Sequence, residues 1–472
     1  MRWDHVIRGG IVVTPSGSNR ADIYVKDGKI AALSAAELPG EAAEVTDASG
    51  KYILPGFIDT HIHSRDGAQG LREKEDFLHS TAAAACGGVT TVCEMPNCYP
   101  PVYNAQRLRE LVACITPKAH VDFGVWGLCL GDLNSRDIEG LAEAGVMGFK
   151  FFWGYAIHSK TYQLIYNYRS DMEDVIPPLE NGDVFRIFRD VGKTGRIMAI
   201  HAENFDLIRV LTAEVLAAGG SSYADLLRTR PAVSETTVIA TAIALAQEAG
   251  VPLHILHVAA GPDVDVIRRA RADGLHVTAE TCPHYLALTD ADAARCQAVM
   301  KTYPLVRTQA DQEQIWQGLR DGTIDSVCSD HAPHLESEKA KGVWEAPAGI
   351  SGVETSSLIL LDAVSKGKLT LCDVARVFSE APARLMGVYP RKGSVRVGTD
   401  ADLAVVDMEK GGVFHKEQMH SVVKMSPYDG MYFQGRVVRT ILRGRTVAVD
   451  GEMTDGAPSG AFLRPESKTE QL

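Results

Sequence analysis

The chain has 472 residues, 45% hydrophobic and 23% charged, and its 48 Lys and Arg against 60 Asp and Glu leave a formal net charge of −12. That acidic balance argues against charge-driven binding to nucleic acid or anionic membranes, and no apolar run approaches the roughly 20 residues of a membrane-spanning helix. The nine cysteines lack CxxC spacing, and Met1-Arg2-Trp3-Asp4-His5 lacks the basic-then-apolar layout of a secretion signal, so neither a disulfide framework nor export is expected and a cytoplasmic protein is.

Ile7–Val13 and Ile23–Leu33 read as strands, the second folded at the Asp27-Gly28 turn. From about Pro55 to Met386 the rhythm changes, and short apolar runs alternate with helix-length segments. Phe57-Ile58 leads into Asp59, Val89–Val92 into Glu94, and Val121–Gly127 stands third. Val146–Phe149 leads into Lys150, Ile197–Ile200 into His201, and Val251–Leu256 into His257. His276–Ala279 leads into Glu280 and Ile324–Cys328 into Asp330, while Ser234–Glu248 and Gln309–Arg320 typify the helices between. Eight such units predict an α/β protein built on a (β/α)8 TIM-like barrel over residues 55–386, with its chemistry at the strand ends. An open doubly wound sheet would need an early GxGxxG, which is missing. The connection from Trp153 to Arg196, with Tyr155, Tyr162, Tyr166, Tyr168 and Pro177-Pro178, reads as a lid over the barrel mouth or as a surface insertion or subunit contact. Asp402–Asp407 and Val437–Val449 are β-rich again, followed by a turn at Asp450-Gly451, and Arg8-Gly9-Gly10-Ile11-Val12-Val13 resembles Arg443-Gly444-Arg445-Thr446-Val447-Ala448. Residues 1–54 and 387–454 are therefore expected to form one small β-sandwich domain from both termini, and 455–472 a polar, frayed tail.

Asp59-Thr60-His61-Ile62-His63 opens the chemistry. On an extended segment residues i and i+2 point the same way, so His61 and His63 can face one ion. Alone the pair says little, since a buried histidine is ordinarily a hydrogen-bonded core residue and a lone lysine a salt-bridge partner. Here Lys150, His201, His257 and Asp330 each close a further candidate strand, a pattern that chance does not readily produce.

Several motifs carry a resemblance at this point. They are Pro55-Gly56-Phe57-Ile58-Asp59-Thr60-His61-Ile62-His63, Gly87-Gly88-Val89-Thr90-Thr91-Val92, Gly148-Phe149-Lys150 and His201-Ala202-Glu203-Asn204. Thr281-Cys282-Pro283-His284-Tyr285, Ser329-Asp330-His331-Ala332-Pro333, and Lys392-Gly393 with Gly398-Thr399-Asp400-Ala401-Asp402-Leu403 complete the set. Over nearly the whole chain the sequence resembles the amidohydrolase superfamily, in its cyclic amidase group of dihydropyrimidinase, hydantoinase, allantoinase and dihydroorotase. The resemblance implies two divalent ions, one held by His61, His63, Lys150 and Asp330, the other by Lys150, His201 and His257. It implies a carboxylated Lys150, whose carbamate is the anionic two-oxygen bridge between them. Nitrogen and oxygen donors without thiolate suit Zn2+, with Mn2+ or Co2+ as alternatives. The implied reaction is opening of a cyclic amide, ureide or imide by attack of a metal-bridged hydroxide on the ring carbonyl. Asp330 would accept the proton and return it to the leaving nitrogen, unless it is a ligand only, and His331 reads as a supporting or core residue.

For the substrate, Arg65 with Asn97 is similar to the dihydroorotase pair that grips a carboxylate, and Tyr155 to the hydantoinase tyrosine that hydrogen-bonds the developing oxyanion. The alternatives are a salt bridge of Arg65 to Asp66 or Glu73, and lid packing for Tyr155. Tyr303 and Gly352 are further expected substrate contacts. Two positions depart from the family: hydantoinases carry asparagine where Ala348 stands, and a small serine or asparagine where Tyr303 stands. Length and the run Ser426-Pro427-Tyr428-Asp429-Gly430-Met431 look more like the hydantoinase and allantoinase branch. The leading expectation is a hydrolase of a small cyclic amide, working as a homo-oligomer, tetramer or dimer, without nucleic-acid or membrane partners. The alternatives are a dihydroorotase-like hydrolase of a carboxylated ring and a non-catalytic dihydropyrimidinase-related scaffold, which the six intact ligand positions oppose.

Overall fold

Strands covered by helices bury both faces, so they read as continuous apolar runs rather than as alternating patterns. In the computed structural model, which describes residues 2–166 and 168–466, the apolar runs of the middle of the chain become eight parallel strands. They are Phe57–Ile62, Val89–Glu94, Asp122–Val125 continued by Gly127–Leu128, Phe149–Trp153, Met198–Ala202, Leu253–Ile255, Val277–Thr281 and Ser326–Val327. The last strand closes on the first through a parallel bridge between Ile62 and His331 and through the buried Asp59 carboxylate, which accepts the Ser329 N–H at 3.1 and 3.2 Å. Trp126 ties the third strand to the first by donating its Nε1–H to the Thr60 carbonyl at 2.9 Å. The helices Val233–Ala249 and Gln309–Asp321 lie where the sequence places them. Thr308 and Asp311 cap the second in a reciprocal box, worth about 0.5–2 kcal/mol.

Three expectations need correction. The fourth strand begins at Phe149 instead of ending there, so Lys150 is its second residue, in register with Leu128 and Ala199. The run Val437–Val449 is cut at Arg443-Gly444 into the strands Tyr432–Leu442 and Arg445–Val449. Gly444 has a φ of 76° and a Cβ there would stand 2.5 Å from Val25 Cγ1, so only glycine fits the turn. The tail is not frayed through 466. The Ala461 N–H donates to Asp122 Oδ1 at 2.8 Å, Phe123 and Leu463 exchange backbone bonds with this segment, and Leu463 is buried beside Ile58, Trp126 and Met147. The apolar triplet Ala461-Phe462-Leu463 inside a polar stretch is what docks it, and the expected tail beyond 466 lies outside the described residues.

The terminal segments form two sheets. One has four strands in the order Lys29–Ser34, Asp22–Lys26, Arg2–Arg8, Glu41–Asp47. The other has seven, with Tyr52–Pro55 from the N-terminal part paired to Leu403–Val413 from the C-terminal part. Ile7, Ile23, Val25, Ile53, Leu403, Val405 and Ile441 share one buried cluster, each contributing about 1.5–3 kcal/mol of burial. Lys392 fastens this part to the barrel: its Nζ lies 2.6 Å from Asp122 and Asp402 and 3.0 Å from Asp400. Removing one partner from such a buried network costs about 3–5 kcal/mol. After the fourth strand, the long connection folds a small antiparallel sheet from Ala156–His158, Leu164–Ile165 and Val175–Ile176 before the helix Asn181–Thr194. No helix among the described residues is long and apolar enough to cross a membrane.

Candidate metal centre and substrate pocket

The strand ends deliver their polar residues to one cavity with about 610 Å3 of open space. His61, His63, Lys150, His201, His257 and Asp330 all line it, as do Arg65, Asn97, Tyr155 and Tyr303. Three of these residues hold left-handed backbone conformations: Arg65 at φ 59°, His257 at 40° and Asp330 at 46°. Such conformations cost energy outside glycine and persist where the surroundings fix them, commonly at functional sites.

On one side His61 Nε2 and His63 Nε2 stand 3.2 and 3.3 Å from Asp330 Oδ1. The other nitrogen of each ring is committed. His61 Nδ1 donates to Glu280 Oε1 at 2.8 Å, and His63 Nδ1 to Asn97 Oδ1 at 2.9 Å. Burial works against the Glu280 charge, yet hydrogen bonds from His254 and His61 hold its carboxyl well below the usual range. It therefore accepts from His61 Nδ1 and leaves Nε2 turned towards Asp330. Two imidazole nitrogens and a carboxylate oxygen then converge on one point, a cluster able to hold a cation. Across the cavity His201 Nδ1 faces His257 Nε2 at 3.0 Å, while His201 Nε2 donates to Glu203 Oε2 at 3.0 Å. Two donors each about 2.0–2.1 Å from one zinc ion stand about 2.9–3.4 Å apart, the range these pairs occupy. Burial lowers His63 to about 4, lowers His201, and takes His257 well below 6.5, so these rings are neutral at neutral pH, the form that can bind a metal.

Lys150 Nζ is fully buried and has no hydrogen-bond partner among the described residues. Burial lowers its ammonium to about 7. An unpaired amine in one cavity with His61, His63, His201, His257 and Asp330 fits a lysine that carries a further group on its nitrogen. Burial raises the Asp330 carboxyl, but His61 and His63 outweigh it and hold Asp330 well below the carboxylate range. The donor set thus fits two divalent ions.

The substrate contacts expected from sequence divide. Among the described residues Arg65 makes no salt bridge: Asp66 pairs with Lys118 at 2.6 Å, and the Arg65 guanidinium meets only His334 Nε2, at 3.3 Å. Tyr155 is enclosed in the wall with its ring edge-on to His201, centroids 4.9 Å apart. Asn97 reaches the cavity but spends its carbonyl on His63. Tyr303 forms wall beneath the Arg230 guanidinium, 3.5 Å above its ring. Gly352 does not reach the cavity. It sits behind, where its N–H donates to His331 Nδ1 at 3.2 Å, and Ala348 and Gly349 supply the wall instead. His331 is a supporting residue, with Nε2 3.3 Å from Glu75.

Sequence reasoning assigned no role to Glu280, Glu203, Arg230, Tyr166 or His334. Glu280 follows an apolar run as the ligands do, and Glu203 lies in the His201-Ala202-Glu203-Asn204 motif, so both had a signal. Arg230 and His334 had none, because their partners are distant in the chain. Arg230 Nη1 donates to Glu203 Oε2 at 2.6 Å, which makes a chain Arg230–Glu203–His201 behind one side of the cavity.

The model of the amidohydrolase family matches residues 52–150 and 231–447. The interval between holds most of the long 153–196 connection, His201 and Arg230. The chain is 34% identical over 466 residues to an L-hydantoinase of Paenarthrobacter aurescens, covering 98% of each chain. It is 38% identical over 470 residues to an allantoinase of Rubrobacter xylanophilus, again covering 98% of each. Among solved structures it superposes on the L-hydantoinase (dihydropyrimidinase) from Arthrobacter aurescens with a TM-score of 0.91 at 34% identity, covering 98% of this chain and 100% of that one. The chain belongs to the amidohydrolase family.

Proposed function

We propose that the chain is a binuclear-metal hydrolase that opens a neutral cyclic amide, ureide or imide ring of the hydantoin, dihydropyrimidine or allantoin kind. The observation that carries this is the convergence of imidazole, carboxylate and amine groups: His61, His63 and Asp330 on one side, His201 and His257 on the other, and Lys150 Nζ, unpaired among the described residues, lining the same cavity. His61, His63, Asp330 and a carboxylated Lys150 would hold one ion, and that lysine with His201 and His257 would hold the second. Such ions, when bound, would supply polarisation of a carbonyl and a water whose pKa is lowered towards about 7. The donor set suits Zn2+, with Mn2+ and Co2+ as substitutes.

The residues divide the remaining work. Glu280 and Glu203 fix the tautomers of His61 and His201, and Asn97 that of His63. Asp330 accepts the proton of the attacking water and returns it to the ring nitrogen, which is a very poor leaving group while unprotonated. Burial raises the Tyr155 hydroxyl well above 10, so it stays protonated and donates to the carbonyl oxygen as negative charge develops. The enzyme works as a cytoplasmic homo-oligomer, which light scattering reporting a lone monomer would refute.

Arg65 favours a second reading. A guanidinium in the cavity wall without a carboxylate partner suits a ring bearing its own carboxylate, as dihydroorotate does. Metal analysis of purified protein, followed by turnover of 5-substituted hydantoins, dihydrouracil, allantoin and dihydroorotate, tests both. About two equivalents of metal and opening of neutral rings is the expected result. Metal-free protein that opens no ring would overturn the proposal. Asp330→Asn keeps an oxygen donor but loses the base, and turnover should fall by about 10²–10⁴.

A further inference from the structure

A separate cavity of about 1060 Å3 lies at the other end of the barrel, and none of the six residues expected at the metals lines it. Its walls come from the starts of barrel strands, whereas the metal centre gathers residues from their ends. Ile197 precedes the fifth strand, Pro252 precedes the sixth, Thr278 lies in the seventh and Ser326 opens the eighth. The helix Ala381–Leu385 and the docked Pro465 complete the wall, and Met147, Leu385 and Met386 add to its aliphatic sides. Most of its polar groups are engaged. Asp325 takes Arg271 at 2.9 Å and the Ala279 N–H at 2.8 Å, and Arg384 takes Glu380 at 3.0 Å. His254 Nδ1 meets Thr278 Oγ1 at 2.8 Å, its Nε2 stands 3.2 Å from Glu280 Oε2, and Glu466 stands 3.9 Å from Arg391. Two groups have no partner among the described residues. The Ser326 hydroxyl is fully buried and makes no hydrogen bond. The half-buried Arg196 guanidinium makes neither a hydrogen bond nor an ion pair, and burial alone acts on it, lowering it from its usual value.

We infer that this cavity binds a short aliphatic carboxylate that carries one uncharged hydrogen-bonding group at its far end, as an ω-hydroxy acid does. The carboxylate pairs with Arg196, the chain lies along the aliphatic sides, and the far group reaches Ser326. A planar guanidinium fork matches a carboxylate, and a buried hydroxyl without a partner gains from any group that bonds it. The walls hold no phenylalanine, tyrosine or tryptophan, so methylene groups and not a flat ring fit the middle of the space. Arg196 stands just before the fifth strand and Ser326 in the eighth, three strand spacings or about 14 Å apart along the sheet, of which the arginine side chain spans part and a chain of about six carbons the rest. An ammonium in place of the carboxylate would meet Arg196 as a like charge. Binding here does not depend on ring opening at the metal centre, and the two stand or fall separately.

Isothermal titration calorimetry of the metal-loaded full chain with 6-hydroxyhexanoate, hexanoate and 6-amino-1-hexanol is the test. 6-Hydroxyhexanoate should bind about threefold to tenfold more tightly than hexanoate, the effect of one neutral hydrogen bond, and the amine should not bind. Arg196→Met should weaken 6-hydroxyhexanoate about tenfold or more by removing a charged hydrogen bond, and Ser326→Ala should abolish the preference over hexanoate. Arg65→Met, in the metal-bearing pocket, should leave both affinities unchanged, which separates this cavity from a carboxylate held near the metals. A thermal melt verifies that each variant folds, and the amine and Ser326→Ala decide the matter should Arg196→Met not fold. No binding of 6-hydroxyhexanoate, equal binding of the amine, unchanged affinity in folded Arg196→Met, a hydroxyl preference that survives in Ser326→Ala, or loss of binding in Arg65→Met would each overturn the inference.

Discussion

Replacing Arg65 by methionine separates a neutral from an anionic substrate. The neighbour that a structural arginine would pair with is occupied: Asp66 takes the Lys118 ammonium at 2.6 and 2.8 Å and the Phe77 N–H at 2.9 Å. Arg65 keeps only the contact with His334 at 3.3 Å, and its Nε is buried without a partner. Methionine retains the apolar stem and deletes the charge. If the guanidinium holds a substrate carboxylate, one charged hydrogen bond of about 1.5–3 kcal/mol is lost. At about 1.4 kcal/mol per factor of ten, kcat/KM on dihydroorotate should fall roughly tenfold to a hundredfold or more. Turnover of 5-benzylhydantoin should change by less than about threefold, since it offers no carboxylate for so directional a contact. Steady-state kinetics on both rings, with a thermal melt to verify folding, makes the comparison. Equal loss on the two rings in a normally folded variant would refute the reasoning and leave Arg65 as a general support of the cavity.

Lys150→Ala should release metal and abolish most turnover, because no neighbouring residue offers an anionic two-oxygen bridge; partial recovery with added short carboxylic acids is expected, and full metal content with normal rate would contradict the carbamate. Glu203→Gln keeps the shape but weakens the hold on His201 Nε2, so metal affinity measured against a competing chelator should drop about tenfold to a hundredfold, as supporting carboxylates of metal-bound histidines do. His5 gives a pH signature away from the metal centre. Burial holds its imidazole below 6.5, where it bonds the Gly444 carbonyl at 2.9 Å and Thr46 Oγ1 at 2.8 Å. The folded state therefore binds fewer protons than the unfolded one just below 6.5, and this stabilisation is complete above 6.5 and lost as pH falls. His5→Asn should flatten the decline in denaturation midpoint between about pH 7.5 and 5.5; an undiminished slope would show that His5 does not titrate there.

How far the sequence reaches depends on the range of each interaction. The barrel is legible because its strands are buried on both faces and most of the apolar runs lead into a polar residue, so Ile200 with His201 or Ile255 with His257 announces itself within a few positions. His61 and His63 share a face by strand periodicity alone. Lys150 was harder: Gly148-Phe149-Lys150 marks the residue, but the strand starts at Phe149, and only pairing with Leu128 and Ala199 reveals the offset. The docked segment around Phe462 was invisible for a related reason, since three apolar residues in a polar stretch become significant only when the edge of Asp122–Val125 is there to receive them. The residues that tune the centre are further still from local pattern. Glu280 is 219 positions from His61, and Arg230 reaches Tyr303 across two barrel units. The split has a chemical logic. Metal ligands must leave the ends of neighbouring strands to meet at one point, which imposes a pattern on the chain, whereas a wall for a substrate substituent needs only bulk at the right place, which any loop or helix can supply. Gly352 shows the consequence: it lies in a loop the family shares, yet the residues that face the cavity are Ala348 and Gly349, a few positions away. Tyr168, Phe205, Ile208 and Trp344, which no motif marks, likewise come around one space only once the barrel is closed.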